Sequence, residues 1–143
     1  MKIVVDADAC PVRNIIVAQA QKYGLEVLMV CDTCHELNDS YSKIVVVDKG
    51  PDSADIALIN QVEPKDIVVS QDIGVCAMAL GKKAKAITPS GVLLDESNLD
   101  QLLMERFLEK KLRRAGKHVK GPHKRSPESD KAFLEQFTKL LNN

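Results

Sequence analysis

The run Ile3-Val4-Val5 has no polar face, and it ends abruptly in Asp6 and Asp8 with Pro11 just beyond. A short strand of branched residues without a polar side reads as buried, as in a parallel sheet covered on both faces. Pro11 suits the first turn of a helix, where its missing N–H removes no bond. Carboxylates at the C-terminal tip of such a strand stand where open α/β sheets bind their ligands.

The pattern recurs along the chain. Strands are expected at 2–6, 25–30, 43–47, 66–70 and 85–88, alternating with helices at 11–23, 53–62 and 72–80. Gly24 and Gly81 mark helix ends, Asp52 or Ser53 supplies a cap, and Pro89-Ser90-Gly91 is a turn. This alternation predicts a five-stranded, mainly parallel sheet with helices on both faces. Beyond Asn98 the period changes. Leu99, Leu102, Leu103, Arg106 and Phe107 predict a long amphipathic helix to about Arg114. Phe133, Phe137, Leu140 and Leu141 give one face of a last helix over 128–141. The 143 residues read as a single domain, with a core at 1–95 and a helical, basic extension at 96–143.

No run approaches the roughly 18 apolar residues of a membrane span. The first apolar run is too short for a signal peptide, so a cytoplasmic location is the default expectation. The four cysteines, Cys10, Cys31, Cys34 and Cys76, are expected to be reduced thiols, since nothing suggests a disulfide framework. The zero net charge conceals an asymmetry. Residues 1–109 carry 10 Lys+Arg against 17 Asp+Glu, and residues 110–143 carry 10 against 3. A basic tail on an acidic body either meets a polyanionic partner or packs on that body.

Asp6 and Asp8 close the first predicted strand, Asp48 closes the third, Asp52 and Asp55 open the next helix, and Asp72 follows the fourth strand. In a parallel sheet these points share one edge. Two carboxylates about 4 Å apart repel by about 4 kcal/mol at an effective dielectric near 20. A raised pKa, a Lys or Arg partner, or a divalent cation offsets that cost. Oxygen-only ligands suit Mg²⁺ or Mn²⁺ rather than zinc. The reaction class that follows is metal-assisted hydrolysis of a phosphodiester or phosphomonoester. Asp52 reads as a cap, and Asp48 and Asp66 as turn residues. Asp6, Asp8, Asp55 and Asp72 remain the candidate catalytic residues.

Three segments carry a resemblance: Val5-Asp6-Ala7-Asp8-Ala9-Cys10-Pro11, Lys49-Gly50-Pro51-Asp52-Ser53-Ala54-Asp55 and Ile67-Val68-Val69-Ser70-Gln71-Asp72. Together with Lys120-Gly121-Pro122 and Asp130-Lys131-Ala132-Phe133, they resemble the YaiI/YqxD family of uncharacterised bacterial proteins. That family is counted among PIN-like domains, so the resemblance implies a three-layer α/β/α sandwich. It also implies a possible Mg²⁺- or Mn²⁺-dependent ribonuclease. The implied metal ligands are Asp6, Asp55 and Asp72, with Asp8 beside them. Many PIN nucleases carry a further acid near the position of Asp72, where this chain has Gln71 and Ile73.

Other constellations compete. Asp6-Ala7-Asp8 is similar to the aspartate pair of haloacid dehalogenase phosphatases, but no adjacent acidic pair occurs near Asp72. Cys31-Asp32-Thr33-Cys34-His35 could join Cys10 and Cys76 in a zinc site. The basic run Lys110, Lys111, Arg113, Arg114, Lys117, Lys120, Lys124, Arg125 suits nucleic-acid phosphates. It lacks the interleaved aromatics that stack bases. The leading expectation is a metal-dependent phosphodiesterase acting on RNA. The contrary one is a non-catalytic nucleic-acid-binding or interaction protein.

Overall fold

The computed structural model describes residues 1–8, 10–32, 40–48, 53–116 and 126–142. Six strands form one sheet in the order β3-β2-β1-β4-β5-β6. They are β1 (Lys2–Asp6), β2 (Glu26–Cys31), β3 (Lys43–Val46), β4 (Ile67–Val69), β5 (Lys85–Ile87) and β6 (Leu93–Leu94). All neighbours pair in parallel except β5 and β6. Five helices are described: α1 (Arg13–Tyr23), α2 (Ser53–Gln61), α3 (Ile73–Gly81), α4 (Glu96–Arg114) and α5 (Pro127–Leu141).

β1 lies inside the sheet and Ile3, Val4 and Val5 are fully buried, as a strand without a polar face requires. Its alternate residues enter two separate clusters. Ile3 and Val5 join Met29, Val69, Ile16 of α1 and Phe133 and Phe137 of α5. Val4 joins Leu28, Val68, Leu58 of α2 and Val75 and Ala79 of α3. The last helix therefore supplies two of the largest buried side chains, with Phe133 and Phe137 ring centroids 5.0 Å apart. Gly91 (φ +92°) permits the approach of α5, since a Cβ there would stand 2.9 Å from the Ala132 backbone.

The sheet differs from expectation by one strand. Leu93–Leu94 folds back antiparallel on β5, pairing Ala86 with Leu94 and Ile87 with Leu93. The reversal is made by Thr88, which donates its N–H to the Val92 carbonyl and accepts the Gly91 amide. Two residues are too few to display a period-two pattern, so the turn is readable and the strand after it is not. Two helix starts also move. α1 begins at Arg13, with Pro11 and Val12 in a turn and no side-chain cap. α4 begins at Glu96, because Asp95 and Asn98 form a capping box.

The N-terminal end of the sheet is held by an ion pair. The buried Asp66 carboxylate accepts the Lys2 Nζ at 2.6 Å, the Lys2 amide at 3.1 Å and the Glu63 amide at 2.8 Å. Burial pushes its pKa up, but the hydrogen bonds and the Lys2 charge outweigh that and hold it below the usual value. Asp66→Ala should cost about 1–3 kcal/mol in urea denaturation, because it removes three hydrogen bonds and leaves the Lys2 ammonium only the exposed Glu63 carboxylate at 3.6 Å. In the wild type this contribution is present above about pH 4 and is lost as pH falls and Asp66 protonates.

Candidate functional site

The strand order reverses around β1. Strands β1 to β3 proceed towards one edge, and β4 to β6 are laid down on the other side of β1. Between β1 and β4 the connections diverge, which opens a crevice at the C-terminal ends of these strands. Register pairs Val5 with Val69, so Asp6 and Ser70 are the next residues across that switch point.

Their side chains meet. The buried Ser70 Oγ donates to Asp6 Oδ2 at 3.1 Å and accepts the Asp72 amide at 3.0 Å. Asp8 accepts the Asp32 amide at 2.9 Å, which ties its loop to the end of β2. Asp72 caps α3, its Oδ1 accepting the Gly74 amide at 2.9 Å, and the same oxygen receives Arg106 Nη1 of α4 at 2.8 Å. Gly74 makes room for that guanidinium, since a Cβ there would stand 2.9 Å from Arg106 Nη1.

Asp6, Asp8 and Asp72 line one cavity of about 530 Å³ together with Arg106, Glu105 and Glu109. Asp55 lies in the first turn of α2, which opens at the same end of the sheet. It is not in the cavity lining, but its charge is felt at Asp6. Burial raises the Asp6 pKa to about 6 against a hydrogen bond from Ser70, and the charges of Asp55, Asp8 and Asp72 push the same way. The charges of the other three candidate carboxylates thus all bear on Asp6. Among the described residues, no three His, Cys, Asp or Glu side chains stand as a ready-made metal cage.

Of the basic run, Lys110, Lys111, Arg113 and Arg114 are exposed on the last turns of α4. Lys117, Lys120, Lys124 and Arg125 lie outside the described residues, as do Cys34, His35 and Asp52. Cys31 is disulfide-bonded, which corrects the expectation of four reduced thiols. That expectation rests on compartment and on the lack of a disulfide framework, and neither argument decides the state of a single cysteine. Cys10 and Cys76 are buried thiols. Burial and the Asp72 and Asp6 charges push the Cys76 pKa up to about 12, so it is a thiol that donates to the Ser70 carbonyl at 3.6 Å. A protonated thiol is a poor zinc ligand.

Sequence reasoning misses Ser70, Glu105, Arg106 and Glu109. Ser70 carries a signal, being a polar residue directly after an apolar strand. The α4 residues carry less, because their approach depends on where that helix lies across the sheet.

A family model described as "Uncharacterized BCR, YaiI/YqxD family" matches residues 4–143. The chain belongs to the YaiI/YqxD family. It is 55% identical to a UPF0178 protein of Ruminiclostridium cellulolyticum, covering 93% of this chain and 87% of that protein. It is 52% identical to one of Lachnoclostridium phytofermentans, covering 100% and 98%. No solved structure matches the chain. Among the described residues no helix is long and apolar enough to cross a membrane.

The electrostatics of Asp6 generate a stability test. The folded state holds the Asp6 proton more tightly than the unfolded chain, so the wild type loses stability as pH climbs from about 4 to about 6. Asn keeps an acceptor for Ser70 and carries no charge. Asp6→Asn should therefore be more stable than wild type by about 1–2 kcal/mol at about pH 8, and equal to it below about pH 4. Thermal unfolding across that range measures the difference.

Proposed function

We propose that this protein is a divalent-metal-dependent phosphodiesterase acting on RNA, built as the three-layer α/β/α sandwich of a PIN-like domain. The observation that carries this reading is Asp6. It stands at the topological switch point, and burial and three neighbouring carboxylates disfavour its charge. A divalent cation relieves that excess negative charge.

The donor set fits Mg²⁺ or Mn²⁺, being oxygen throughout. Mg²⁺ typically uses one or two carboxylates, several waters and a substrate phosphate. Asp6, Asp55 and Asp72 are the proposed ligands. When bound, the cation neutralises phosphate charge and lowers the pKa of water. The residues of the chain do the rest. Ser70 orients Asp6, and Asp8 acts as the general base. Arg106, held by Asp72 and accommodated by Gly74, offers a planar fork suited to a phosphate. Lys110, Lys111, Arg113 and Arg114 extend positive charge along the same helix, and Lys117, Lys120, Lys124 and Arg125 continue it in sequence.

One observation favours the second reading, a non-catalytic RNA-binding protein. Asp72 already serves two structural partners, the α3 N-terminus and Arg106. RNA cleavage with Mg²⁺ or Mn²⁺ separates the two readings. Hydrolysis by wild type should fall by about 10²–10³-fold in Asp6→Asn, the usual scale for losing a central electrostatic group. Arg106→Ala should bind RNA more weakly. Equal cleavage by wild type and Asp6→Asn would refute the catalytic reading, whereas RNA binding without cleavage by either would establish the second.

A further inference from the structure

The C-terminal half of α4 stands clear of the body. Leu99, Leu102, Leu103 and Arg106 are half-buried, but every residue from Phe107 to Gly116 is exposed. That half is nevertheless not polar. Phe107 is 55% exposed, Leu108 50% and Leu112 43%, and Met104, one turn earlier, is 57% exposed. At helical spacing these four side chains form one continuous stripe. Single exposed apolar residues are ordinary, whereas a contiguous stripe on a projecting helix marks an interaction surface. Helices gain most of their stability by burying such a stripe.

The charge along the same helix indicates what covers it. The acids Glu96, Asp100, Glu105 and Glu109 come first, with Arg106 among them turned to Asp72, and the bases Lys110, Lys111, Arg113 and Arg114 come last. A helix segregated in this way is complementary to itself when turned end for end. Asp100 and Arg114 lie on one flank of the apolar stripe, two heptads apart, with Phe107 midway between them. A two-fold axis at Phe107 sets each Asp100 against an Arg114 of the partner subunit, and lays the Met104–Leu108 stripes face to face.

We propose that α4 pairs antiparallel with the α4 of a second copy of this chain, through an isologous interface centred on Phe107. The inference is argued from the exposed face of α4 and not from the proposed phosphodiesterase activity; it shares Arg114 with the proposed RNA surface, so association is measured without RNA. Sedimentation equilibrium of the full chain at micromolar concentrations tests it, with circular dichroism confirming the fold of each variant. The wild type should show the dimer mass and Leu108→Glu the monomer mass. Asp100→Arg and Arg114→Asp should each weaken association, and the double variant should restore it. A monomeric wild type, a dimeric Leu108→Glu, or a double variant no better than the singles would overturn the proposal.

Discussion

β1 is buried on both faces, and the chemistry of the molecule is displaced to the ends of the sheet as a result. Neither side of Ile3-Val4-Val5 accommodates a polar group, so the charges of this region sit where the strand stops. The two ends use charge differently. At the N-terminal end, Asp66 is matched by Lys2 and two amides, and its pKa is lowered. At the C-terminal end, Asp6 has Ser70 as a donor among three neighbouring acids, and its pKa is raised. A paired carboxylate favours the fold, while an undercompensated one is held in place against its own preference. Natural proteins carry such local conflict at functional sites.

Arg106 shows how the acidic end is partly balanced without losing its character. Its guanidinium engages Asp72, which also caps α3, and leaves Asp6 surrounded by negative charge. Gly74 permits the arrangement, since any side chain would meet the guanidinium. The cavity therefore combines fixed acids with one cation contributed by a helix distant in sequence.

Much of this is legible in the sequence, for a physical reason. Strands without a polar face and short βα connections leave few topologies, and they place every post-strand residue at one edge. That is why Asp6, Asp8, Asp55 and Asp72 can be gathered from spacing alone. What spacing cannot show is a partner that arrives through tertiary packing. The pairing of Ser70 with Asp6 is revealed only by the β1–β4 register, and Arg106, Glu105 and Glu109 only by the path of α4. Short-range effects escape for a different reason. β6 is too brief to carry a pattern. Compartment arguments do not decide the disulfide at Cys31. The UPF0178 relatives share the chain over almost its full length, so the same arrangement of acids can be sought in each by position.

The decisive question is whether the crowded carboxylates at the switch point hold a divalent cation. Crystals grown with Mn²⁺ and measured at its absorption edge answer it, because the anomalous signal locates the metal without reference to activity. The structure predicts a peak within coordination distance, about 2.0–2.3 Å, of an Asp6 carboxylate oxygen, shared with at least one of Asp55, Asp8 and Asp72. A saturating Mn²⁺ soak that leaves no peak at Asp6 would contradict the metal-dependent reading.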